Sequence, residues 1–77
     1  MNSRTKEFII AIIDHKPIYG NTNLNAFYEG MKLIEPKFKS KISLQKDLDL
    51  NDFSFYVNPI GSVYEIYRYP NPNYKKG

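Results

Sequence analysis

Phe53-Ser54-Phe55-Tyr56-Val57-Asn58-Pro59-Ile60-Gly61-Ser62-Val63-Tyr64-Glu65-Ile66-Tyr67-Arg68-Tyr69 decides the fold of this chain, because two runs of β-forming residues flank a turn sequence. Pro59 presets φ at the second position of a type I turn, and Asn58 suits the first. Gly61 takes the left-handed conformation that closes the turn with a bulge. Such a three-residue loop sets Asn58 opposite Ser62, Val57 opposite Val63, Tyr56 opposite Tyr64 and Phe55 opposite Glu65.

That register sorts the side chains onto two faces. Phe53, Phe55, Val57, Val63, Tyr67 and Tyr69 share one, which is the expected core face. Ser54, Tyr56, Asn58, Ser62, Tyr64, Ile66 and Arg68 share the other, expected to be exposed. Tyr56, Tyr64, Arg68 and Ile66 are therefore the expected protein-binding residues, since tyrosine and arginine contribute contact area and hydrogen bonds at low entropic cost. Glu65 falls on the supposed core face and does not fit it, so it marks a rim, an edge strand or a wrong register.

Outward from the hairpin, Leu24, Phe27, Tyr28, Met31 and Ile34 recur at helical spacing until Pro36 stops the pattern. Gly30 within that helix points to a close packing contact. Phe8, Ile9, Ile12 and Ile13 fall on one helical arc behind Ser3 as N-cap, which predicts a first helix over about residues 4–14. A buried strand over Phe8 to Ile13 is the rival, because isoleucine favours β structure. Pro17, Gly20, Asn21, Thr22 and Asn23 read as a loop with a new N-cap. Between Lys37 and Asp52 the alternation of Ile42, Leu44, Leu48 and Leu50 predicts a strand over Lys41 to Lys46, with a short capped helix from Ser43 as the alternative.

The expected fold class is thus α+β: two N-terminal helices on an antiparallel sheet of two or three strands that ends in the hairpin. Residues 1–70 form the expected domain, and residues 71–77, with Pro70 and Pro72, a flexible tail. This element order resembles a reduced winged helix-turn-helix, in which a wing like Val57 to Val63 touches nucleic-acid backbone. The resemblance implies phosphate contacts through Lys37, Lys39, Lys41, Arg68, Lys75 and Lys76.

Seventy-seven residues without cysteine exclude disulfides and thiolate chemistry, and a domain of this size buries only about 60% of its unfolded surface. The net charge of +3 permits acidic partners without requiring them. The usage, rich in Lys, Asn, Ile, Tyr and Phe, is typical of AT-rich coding sequence such as that of phages. The apolar run Phe8 to Ile13 is too short for a membrane span or a secretory signal, so a cytoplasmic setting is expected.

His15 is the only histidine and has no nucleophile or base placed near it by sequence; the end of the first helix accounts for it. Asp47, Asp49 and Asp52 begin a calcium-loop pattern, but Asp52 stands where glycine is required and Asn58 where glutamate is. No cofactor, metal or catalytic residue is expected. The leading expectation is a non-enzymatic adaptor or inhibitor that docks on another protein, as a monomer or as a homodimer through the hairpin edge. Nucleic-acid binding is the alternative.

Overall fold

The apolar run near the start of the chain is a strand, β1 (Glu7–Ile13), in the computed structural model, which describes residues 7–70. Ile9 and Ala11 are fully buried, and Phe8, Ile10 and Ile12 alternate with them on the opposite side. Because both sides are apolar, the period of two has no polar half and also fits a helical arc. The helix expected over residues 4–14 is therefore corrected to a strand in its described part. Asp14 and His15 follow with φ of 50° and 66°, the two positive values a type I′ hairpin turn requires, and β2 (Lys16–Asn21) returns antiparallel. His15 accordingly sits in an exposed turn and not at a helix C-terminus.

Asn23 caps α1 (Leu24–Ile34), its side chain accepting the Ala26 N–H at 3.1 Å. Phe27 and Met31, four residues apart, carry the buried stripe, and the expected helix in this region is present. The Tyr19 ring lies across Gly30, where an added Cβ would collide with the phenol oxygen and the ring. The phenol donates to the Ala26 carbonyl at 3.3 Å, so the glycine is the seat of a strand-to-helix contact.

Phe38, in the connection after α1, is buried against Tyr28, Tyr56 and Tyr64, with its ring 5.4 Å from that of Tyr56. The segment expected as a strand over Lys41 to Lys46 is instead the start of α2 (Lys41–Asn51), capped by Ser40. Leu44 and Leu48 point inward at helical spacing, while Ile42 and Leu50 lie exposed on the far side. Apolar residues on both sides of the helix produced the alternation that resembles a strand. Asp52, with φ of 54°, ends the helix and returns its N–H to the Leu48 carbonyl at 2.9 Å.

β3 (Phe53–Val57) and β4 (Val63–Pro70) form the expected hairpin in the expected register, with Val57 opposite Val63, Tyr56 opposite Tyr64 and Phe55 opposite Glu65. Gly61 has φ of +90° and donates to the Asn58 carbonyl, while the Asn58 side chain accepts from Ile60 and Ser62 N–H groups. The sheet order is β2-β1-β4-β3, antiparallel throughout. The residues of α1 and α2 that turn inward join one core with Ile9, Ala11, Tyr64 and Ile66, so both helices cover the same face. The α+β class stands, but not the winged-helix-like order: two strands precede the first helix, the helices lie mid-chain and the sheet has four strands. The tail assigned to residues 71–77 lies outside the described residues.

Replacing Gly30 by alanine improves helix propensity by about 1 kcal/mol yet forces a methyl group into the Tyr19 ring, a strain of roughly 1–3 kcal/mol. Gly30→Ala should therefore leave urea stability unchanged or lower it by up to about 2 kcal/mol, whereas the double variant Gly30→Ala, Tyr19→Ala should show no further loss from the alanine at 30. A Gly30→Ala protein more stable than the parent would contradict the contact.

Candidate protein-binding face

Strand alternation and the register decide which side chains meet the helices. Ser54 and Tyr56 from β3, Tyr64, Ile66 and Arg68 from β4, and Ile9 and Ala11 from β1 all face α1 and α2. The protein-binding residues expected from the sequence thus lie on the covered side. Tyr64 is 6% exposed and Ile66 fully buried, and Tyr56 packs half-buried with its ring 6.2 Å from Tyr64. The register is the expected one with the two faces exchanged, and Glu65, the misfit, is the residue that signalled it.

Arg68 is occupied within the chain. Its Nε donates to Asp52 at 2.8 Å, Nη1 to Asp49 at 3.1 Å and Nη2 to the Leu48 carbonyl at 2.7 Å, so the guanidinium closes the C-terminal end of α2. Burial pulls its pKa down, but the hydrogen bonds to Asp52 and Asp49 outweigh that and raise it. Lys39 is similarly engaged: its Nζ donates to the Asp47 carboxylate, to Ser54 Oγ at 2.7 Å and to the Phe55 carbonyl at 3.3 Å. Ser54 Oγ in turn donates to Asp47 at 2.7 Å, which leaves this buried serine satisfied. The three aspartates of the incomplete calcium-loop pattern, Asp47, Asp49 and Asp52, are the partners of these two cations. Lys37 and Lys41 are exposed at the connection into α2, on the helical side, and Lys75 and Lys76 lie outside the described residues.

The side of the sheet that no described element covers carries a different set. Its rows are Val63 with Val57; Pro17, Ile12, Glu65 and Phe55; Gly20, Ile10, Tyr67 and Phe53; and Phe8 with Tyr69. The Phe53 ring lies 5.0 Å from that of Tyr67 and 6.4 Å from that of Phe55, and Tyr67 stacks 6.3 Å from Tyr69, which makes a continuous aromatic band. Phe55 is 56% and Tyr69 52% exposed. Glu65 is the only ionisable carboxylate in these rows, and it accepts the Tyr67 phenol at 3.0 Å. That hydrogen bond first, then burial and the charge of Glu65, raise the Tyr67 pKa.

A polar cleft of about 390 Å³ opens between the start of α1 and α2, lined by Glu7, Asn23, Asn25, Gln45, Asp49 and Arg68 among others. Its guanidinium is the one already held by Asp49 and Asp52. Among the described residues no group of three His, Asp or Glu side chains is arranged to hold a metal, and no helix is long and apolar enough to cross a membrane. Comparison of the chain with protein-family models, with curated proteins and with solved structures returned no match.

The hydrogen bonds from Lys39 and Ser54 hold the Asp47 pKa below the ordinary carboxylate value. A lowered folded-state pKa adds stability above the unfolded value, and that contribution is lost as pH falls through the folded value. In urea denaturation at about pH 7, Asp47→Asn should be less stable than the parent, and the gap should narrow steadily between about pH 5 and pH 2. A gap independent of pH would separate Asp47 from the acid sensitivity of the fold.

Proposed function

We propose that this protein is a non-catalytic protein-binding module and that it docks through the uncovered aromatic face of its sheet. The observation that carries the reading is the contiguity of Phe8, Ile10, Ile12, Phe53, Phe55, Tyr67 and Tyr69 on a face that no element of the described chain covers. The three strands that carry these residues, about 4.8 Å apart and about six residues long at roughly 3.3 Å, give a footprint of about 300 Å², at the lower end of the range where a monomer's largest apolar patch is often functional. Aromatic rings with phenol hydroxyls are the side chains that supply hot spots in protein interfaces.

The edges of the sheet favour docking by the face over strand addition. Along β3, Lys39 Nζ reaches the Phe55 carbonyl, and along β2, Pro17 lacks an N–H and the register slips between Ala11 and Ile12. The nucleic-acid alternative draws less support, because Lys39 and Arg68 are paired inside the chain and Lys37 and Lys41 lie on the helical side, away from the aromatic band. Single-strand binding needs rings and phosphate-tracking cations on one surface.

The test compares Phe55→Ser with Tyr69→Ser on the face, and with Ile42→Ser on the exposed side of α2, each checked for native circular dichroism. In affinity capture from a cell lysate, the two face variants should lose the captured protein by about tenfold or more, and Ile42→Ser should retain it. Retention by the face variants with loss in Ile42→Ser would move the surface to the helices. Titration of random single-stranded DNA at low ionic strength should give no saturable binding.

A further inference from the structure

The uncovered face is apolar in every direction around Glu65. Ile12 and Phe55 flank it across the sheet, and Val63 and Tyr67 flank it along β4. Among the described residues its one hydrogen-bond partner is the Tyr67 phenol, on Oε2, and no lysine or arginine bridges it. Glu65 is half-buried, so part of it remains open to solvent. A partner lying on the face strips that solvent away, and a desolvated carboxylate without a counter-charge opposes binding strongly.

We infer that the partner presents an arginine side chain, which forks onto Glu65 while its guanidinium lies against the rings of Phe55 and Tyr67. This inference rests on the face being the docking surface. Arginine suits the site better than lysine because its planar group donates two parallel hydrogen bonds to a carboxylate and also stacks on aromatic faces. The Tyr67 phenol already engages Oε2 and fixes the orientation of the carboxylate, leaving Oε1 open to a second donor. Phe55, 56% exposed and directly opposite Glu65, supplies a ring within reach of the same cation.

Charge also argues against a second copy as the occupant. Sheet-to-sheet pairing of two identical faces buries two Glu65 carboxylates, and the rows of each face bring no arginine or lysine to meet them. Of the cations on or beside the described sheet, Lys39 and Arg68 are held on its other side, and Lys16, opposite Ile13 at the start of β2, shares the side of Ile13, which packs against the core. A foreign partner with a basic residue framed by apolar ones matches the face in both shape and charge.

The probes are three synthetic peptides of one valine-rich extended frame that differ only at the centre, which is arginine, norleucine or glutamate. They are titrated into the full, uniformly 15N-labelled chain while amide shifts are followed. The arginine peptide should move the amides of Phe55, Glu65 and Tyr67 and bind about tenfold tighter than the glutamate peptide, with norleucine between them. In Glu65→Gln, with an unchanged spectrum elsewhere, the preference for arginine should collapse to about twofold or less while the norleucine peptide binds as before. Equal binding of the three peptides to the parent, or an arginine preference that survives Glu65→Gln, overturns the inference and leaves the docking face standing. Absence of shifts on the face with all three peptides overturns both. Concentration-dependent shifts of the same amides without peptide identify a second copy as the occupant and also overturn it.

Discussion

The pairing of β1 with β4 is the constraint on which the rest of the molecule depends. Each hairpin is local in sequence and marginal alone, because a two-stranded ribbon has too little surface to bury. The register from Glu7 opposite Pro70 to Ile12 opposite Glu65 joins the first strand to the last and makes one four-stranded sheet. With the two hairpins joined, α1 and α2 lie between them in the chain and cover one side together, and Ile9, Ala11, Tyr64 and Ile66 become the floor of the core. Among the described residues the other side has no layer of its own, so the sheet alternation that builds the core also builds the candidate surface.

The charges near the helices serve this arrangement. Asp47 on α2 gathers Lys39 and Ser54, and Asp49 and Asp52 gather Arg68, so α2 is tied to β3 at one point and to β4 at another. These contacts place cations at a strand edge and at a helix C-terminus, where unpaired carbonyls and the helix dipole favour them. Glu65 differs from all three aspartates in having no cationic partner among the described residues. That contrast separates the acids that tie α2 to the sheet from the acid that stands within the aromatic band.

In the proposed role as a binding surface, the face that no described element covers combines an aromatic band with a single oriented acid. The strands hold its rings in fixed rows, so little side-chain freedom remains to be lost when a partner docks. In that proposed role selectivity would rest on the acid, because apolar contact alone discriminates poorly between partners, whereas an unmatched carboxylate disfavours those that lack a cation.

Residues 53–69 carry their own instructions: Asn58, Pro59 and Gly61 set the turn, the turn sets the register, and Tyr56 faces Tyr64 whatever surrounds them. The helix from Leu24 was also legible, because its apolar spacing and its stop at Pro36 are local signals. The strand at Phe8 to Ile13 and the helix from Lys41 were not, since apolar residues on both sides of each element blur the period that distinguishes strand from helix. Local sequence likewise does not say which side of the hairpin is buried, because both sides are rich in aromatics. Burial goes to the side where Ser54 and Arg68 find Asp47, Asp49 and Asp52, residues that reach them only once α2 has formed. Polar groups on the other side would have had no such partners, and the cost of leaving them unsatisfied in a core is what turns Phe55, Tyr67 and Tyr69 outward around Glu65.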